Sequence, residues 1–106
     1  MDSQMKKGVL EMCLLQIIAD RECYGYSLMS SVTAAFPGVS ESTVYAILRR
    51  IQAEGMAETY TGEQSGGPAR KYYRLTPAGR AALAQARDDW RTLCRAVESL
   101  GISQEM

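Results

Sequence analysis

From Gly8 to Ala19 the chain is apolar around a whole helical wheel: Val9, Leu10, Met12, Cys13, Leu14, Leu15, Ile17 and Ile18 leave no continuous polar face. Such a segment predicts a helix buried on more than one side. Asp20, Arg21 and Glu22 break it. After Tyr24-Gly25-Tyr26, the run Ser27 to Phe36 carries a narrower stripe, Leu28, Val32 and Ala35 or Phe36, and predicts a second helix that Pro37-Gly38 ends. A third helix follows within a few residues. Ser40 is an N-cap residue, Glu41 puts a negative charge in the first turn, and Gly55 offers a left-handed stop. Between them Val44, Ile47, Leu48 and Ile51 recur at i, i+3, i+4, i+7. At about 100° per residue the opposite face carries Ser42, Tyr45, Ala46, Arg49 and Ala53, flanked by Thr43 and Arg50.

Beyond Gly55 the period falls from 3.6 to about 2. Met56 to Thr61 and Arg70 to Leu75 are rich in threonine and aromatic residues and predict two strands. The segment between them, Gly62-Glu63-Gln64-Ser65-Gly66-Gly67-Pro68-Ala69, is too long for a tight turn and predicts an extended hairpin tip. Its glycines do not form a phosphate-binding loop, because no G-x-G-x-x-G or G-x-x-x-x-G-K-[ST] pattern is present and the segment leads into a strand. Thr76-Pro77, an N-cap followed by proline at N1, starts a final helix predicted to reach about Leu100. In it Leu83, Ala86, Trp90, Leu93, Val97 and Leu100 step by alternating threes and fours, an a/d heptad pattern. Too little chain remains to cover that stripe, so its predicted cover is a second copy of the protein. The expected fold is mostly α with a small β part: a winged helix-turn-helix over residues 1–75, and a dimerisation helix over 76–106 within the same compact unit.

Composition narrows the chemistry. With 106 residues the chain is one domain. Formal net charge is zero, so a nucleic-acid surface has to be sought in the placement of charge and not in its sum. The placement is uneven: Arg70, Lys71 and Arg74 surround Tyr72 and Tyr73 on the second strand. An edge strand kept soluble by its cations is the plain alternative. Histidine is absent, which removes the commonest general base and the commonest nitrogen ligand of zinc. Asp88 and Asp89 are helix neighbours that do not face each other. No catalytic set, metal site or cofactor site can be assembled. Cys13, Cys23 and Cys94 are odd in number and widely spaced, and are expected as free thiols in a reducing cytoplasm. No apolar run of about 18 residues could span a bilayer, and no membrane partner is expected.

The outward face of the third helix has no carboxylate at its centre. Small and hydroxyl side chains followed by two arginines suit a rod lying in a major groove roughly 12 Å wide. An ordinary amphipathic surface helix has the same spacing. Several stretches then combine: Tyr24-Gly25-Tyr26, the run Val39 to Tyr45 continuing to Leu48-Arg49-Arg50-Ile51, and Gly66-Gly67-Pro68 through Arg70 to Thr76 with Gly79. Together they resemble the PadR family of bacterial transcriptional regulators, over about residues 6 to 100. With one C-terminal helix, the chain is similar to the short subgroup.

The resemblance implies a repressor that binds operator DNA as a two-fold dimer, with the third helix in the major groove and the hairpin against adjacent backbone or minor groove. In that arrangement Ser42, Thr43, Tyr45, Ala46 and Arg49 face bases or nearby phosphates, while Arg50, Arg70, Lys71 and Tyr72 hold the backbone. The family's short members also imply a planar aromatic or drug-like effector between the subunits, stacked on Trp90 and lined by Val9, Met12, Leu93 and Cys94. An indole on a dimer seam is most often plain packing. The competing function is a winged-helix module that binds protein and not DNA, since fold alone does not fix function.

Overall fold

A computed structural model describes residues 3–62 and 70–103 of the chain. The elements run α1 (Ser3–Asp20), β1 (Cys23–Tyr24), α2 (Gly25–Ala35), α3 (Glu41–Ala53), β2 (Ala57–Gly62), β3 (Arg70–Leu75) and α4 (Pro77–Ser99). Four helices accompany a three-stranded antiparallel sheet in the order β1-β3-β2. This is the mostly helical, winged architecture that the periodicities predict. Three details differ. Helix α1 starts five residues earlier than its apolar run. Helix α2 starts at Gly25, without waiting for Ser27. The third is a strand that the sequence did not signal: Cys23 and Tyr24 pair with Tyr73 and Tyr72 of β3, and two residues are too short to carry a period of two.

Helix α1 is the centre of the packing. Leu10, Leu14, Leu15 and Ile18 are fully or almost fully buried, and the helix touches α2, α3, α4 and β3. Its all-round apolarity therefore has a cause, since each side meets a different element. From the other elements, Leu28 and Val32 of α2, Val44, Leu48 and Ile51 of α3, and Tyr73 and Leu75 of β3 complete one continuous core. Helix α3 starts with the side-chain oxygen of Ser40 accepting from the backbone N–H of Thr43 at 3.2 Å. It ends on Gly55, whose φ of +76° lets the N–H groups of Gly55 and Met56 turn back onto the carbonyls of Gln52 and Ile51, each at 3.0 Å.

The crossing of α4 over the α3–β2 turn is a tight joint. Thr76 caps α4 by accepting from the N–H of Gly79 at 3.1 Å, and its own hydroxyl donates to the carbonyl of Gly55 at 2.6 Å. Its backbone N–H donates to the carbonyl of Met56 at 3.1 Å. One residue is therefore bonded to both sides of the crossing, and Gly79 provides the clearance: a Cβ there would lie 1.8 Å from the Met56 carbonyl oxygen.

Candidate nucleic-acid interface

Helix α3 buries Val44, Ile47, Leu48 and Ile51, which turns Ser42, Tyr45, Ala46, Arg49 and Arg50 outward. Thr43 is half-buried. The hydroxyls at the N-terminal end are linked, since Ser40 Oγ lies 3.1 Å from Ser42 Oγ and 2.9 Å from Thr43 Oγ1. The capping residue thus orients both polar side chains that begin the exposed face. Tyr45 is 40% exposed, and a Cβ at Gly25 would lie 3.9 Å from its ring, so the face of α3 borders the start of α2. Among the described residues Arg49 has no carboxylate partner, whereas Arg50 reaches Glu11 of α1 at 3.4 Å.

The sheet divides what the sequence put together. Side chains alternate along β3, so Lys71 shares a face with buried Tyr73 and Leu75, the face turned to the helices, while Arg70, Tyr72 and Arg74 occupy the other. Arg70 and Tyr72 therefore share one face and Lys71 lies on the other, because a period of two separates neighbours, and Arg70 and Lys71 meet only at the end of the strand. Nor is Tyr73 part of an exposed aromatic mixture: it is buried, and burial pushes its phenol above the usual range, with Tyr45 adding to the effect.

The outer face is a row of tyrosines across three strands. Tyr72 meets Tyr24 edge-on at 5.9 Å and stacks with Tyr60 at 5.6 Å. The guanidinium of Arg70 lies 4.5 Å from the Tyr24 ring centre and that of Arg74 lies 4.8 Å from the Tyr60 ring centre. Arg74 also donates to Glu58 at 2.8 Å, and the Tyr60 hydroxyl donates to Glu22, which raises the Tyr60 phenol above its usual range. Sequence reasoning named Arg74 beside Tyr72 but did not pick out Tyr24 or Tyr60 as its partners. Tyr60 follows from the register of the β2–β3 hairpin, and Tyr24 only from the pairing of β1 with β3. At the open edge of β3, where β1 stops, Tyr24, Gly25, Tyr26, Arg70 and Lys71 border a cleft of about 550 Å³. Residues 63–69, with the Gly66-Gly67-Pro68 stretch, lie outside the described residues.

A second feature lies between α1 and α4. Val9 and Met12 of α1 and Trp90, Leu93 and Cys94 of α4 all line one apolar groove of about 940 Å³. Among its described lining residues the charged ones are all carboxylates, Glu11, Asp89 and Glu98. On α4 the heptad stripe is mostly uncovered: Trp90, Leu93 and Leu100 are exposed, and Ala86 and Val97 half-buried. Leu83 is the exception and a correction. Expected on the seam, it is buried in the chain's own core, because the first turns of α4 still lie over the body of the domain.

A short helix-turn-helix with an outward cationic face, followed by an antiparallel hairpin and a long C-terminal helix, defines a winged helix-turn-helix protein. Comparison with known proteins gives the family. The model of the transcriptional regulator PadR-like family matches residues 14–85, and the chain belongs to that family. It is similar to the PadR-like transcriptional regulator of Bacillus cereus, with 39% identity, a TM-score of 0.85, and coverage of 96% of this chain and 100% of that one. A Streptococcus transcriptional regulator is 29% identical with a TM-score of 0.87, over 95% of this chain and 100% of that one. Transcriptional regulator Rv3488 of Mycobacterium tuberculosis is 34% identical over 89% of this chain and 87% of its own length. None of the described helices is long and apolar enough to cross a membrane.

Proposed function

We propose that the protein is a homodimeric repressor of a two-fold operator, released by a planar aromatic or drug-like molecule bound in the groove beside Trp90. The observation that carries the DNA reading is the outward face of α3, where Arg49 stands exposed with no carboxylate partner among the described residues. In this reading Ser42, Thr43, Tyr45, Ala46 and Arg49 approach base edges. Arg50, Arg70, Lys71 and Tyr72 hold phosphates, with Lys71 on the helix side of the wing and Arg70 and Tyr72 on its outer side. The dimer is supported by the uncovered stripe of Trp90, Leu93, Val97 and Leu100, because large apolar side chains at heptad spacing are stable against a matching stripe and not against water.

The test begins with footprinting of duplex DNA upstream of the protein's own coding region, followed by binding measurements across a salt series. Arg49→Ala is expected to cost about 1–3 kcal/mol on the footprinted site and much less on random duplex. Lys71→Ala is expected to weaken both alike and to lower the salt slope by about 0.9. Equal losses on both DNAs for both variants would remove the division between base and backbone contacts. Affinity that does not rise as salt is lowered would remove the DNA contact itself. Light scattering that returns a monomer at micromolar concentration would remove the dimer. If no compound in a varied panel of planar aromatics quenches Trp90, the effector reading fails.

A further inference from the structure

Glu11 belongs to two places at once. Its residue lines the groove between α1 and α4, and its carboxylate holds the guanidinium of Arg50 on α3 at 3.4 Å. Both side chains are partly shielded, at 26% and 42% exposure, so the pair is neither buried nor freely solvated. A guanidinium has five N–H donors in a planar fork, and a carboxylate on one edge leaves the other free. Arg50 can therefore pair with Glu11 through one nitrogen and keep donors for a second partner on its exposed part. Arg49, its neighbour on α3, has no such brace among the described residues.

We infer that Glu11 is a positioning residue, which aims Arg50 at a DNA phosphate and transmits occupancy of the groove to α3. This rests on the effector reading of the groove given above. Val9 and Met12, two residues before Glu11 and one after it on α1, face the same groove. A molecule wedged against Trp90 presses on the turn of α1 that carries the carboxylate. The path from groove to recognition helix then includes this ion pair beside the apolar α1–α3 packing, and a coupling has physical content only when the two sites bias such a shared element.

The test uses full-length protein, a duplex containing the footprinted site, and N-phenylnaphthylamine, a neutral apolar dye, as the groove probe. Dye binding is read from Trp90 quenching. Coupling is read as the ratio of DNA dissociation constants with and without saturating dye. In the unaltered protein the dye weakens DNA binding. In Glu11→Gln, which keeps the size of the side chain, the dye is expected to bind within about twofold of its original midpoint while the coupling ratio shrinks by up to about fivefold, the range open to a partly exposed ion pair. Arg50→Gln should lose the same part of the ratio, and Arg49→Gln should weaken DNA binding with the ratio unchanged. A ratio in Glu11→Gln equal to that of the unaltered protein, with the dye still bound, overturns the role of Glu11 and leaves the effector reading standing. Dye that fails to quench Trp90, or quenches it without affecting DNA, overturns both.

Discussion

Gly79→Ala sets two physical effects against each other, and the structure decides their sign. Gly79 lies in the first turn of α4, where alanine is favoured over glycine by about 1 kcal/mol on helix propensity alone. Against this, the added Cβ would sit 1.8 Å from the carbonyl oxygen of Met56 and 3.2 Å from a methyl of Leu75. Carbon and oxygen approach each other to about 3.3 Å at closest, so α4 and the turn below it would have to part by about 1.5 Å. The obstacle is backbone and not the end of a flexible side chain. Moving it also breaks the bond from the Thr76 N–H to the same carbonyl. Overpacking of this kind costs about 3 kcal/mol at the upper end of its usual range, and the lost hydrogen bond adds about 1. After the propensity gain the net destabilisation is about 3 kcal/mol. Urea denaturation followed by circular dichroism measures it. Gly8→Ala on α1 provides the propensity effect by itself, since among the described residues nothing outside its own helix backbone lies within 4 Å of the Cβ it would gain; that variant should be stabilised by about 1 kcal/mol. If Gly79→Ala were as stable as the unaltered protein, or rose in parallel with Gly8→Ala, the tight crossing at Met56 would not hold in solution.

Other consequences follow from particular side chains. Ser40→Ala should lower stability by about 1 kcal/mol through the lost cap, and should weaken DNA binding as well, because Ser42 and Thr43 lose the hydroxyl that orients them; a full loss of cap stability with unchanged DNA affinity would separate the cap from the interface. Burial raises the Tyr73 phenol, and the bond to Glu22 raises that of Tyr60, above the ordinary value of 10.0. Stability from both groups is therefore complete below about pH 10 and declines as pH rises above it, since the unfolded chain releases those protons first. Tyr73→Phe should show a shallower alkaline decline in denaturation midpoints, and an equal decline would exclude Tyr73 as a contributor. Burial also raises the thiols of Cys13 and Cys23, so iodoacetamide at neutral pH should label Cys23 only at the rate of unfolding; labelling as fast as a free thiol would contradict its buried place beside β3.

The helices were legible in the sequence because each carries its own period and its own stops. Ser40 and Gly55 bracket α3, Thr76-Pro77 opens α4, and Pro37-Gly38 closes α2, all through local rules of backbone geometry that need no knowledge of distant residues. The outward face of α3 followed from the same period, whereas the residues that line the groove came from the resemblance to the family. What lay beyond the sequence were relations between segments far apart in the chain. The strand at Cys23-Tyr24 exists because β3 is there to pair with it. The alternation of β3 already places Lys71 and Arg70 on opposite faces, but only the burial of Tyr73 shows which of those faces is inside. Leu83 fits the heptad as well as Leu93 does, yet one is buried in its own chain and the other is exposed, because only packing determines how far along α4 the domain extends. Period and capping are properties of neighbouring residues and survive in one dimension; which face meets which neighbour, and which carboxylate holds Arg50, is settled by contacts that form when the chain closes on itself.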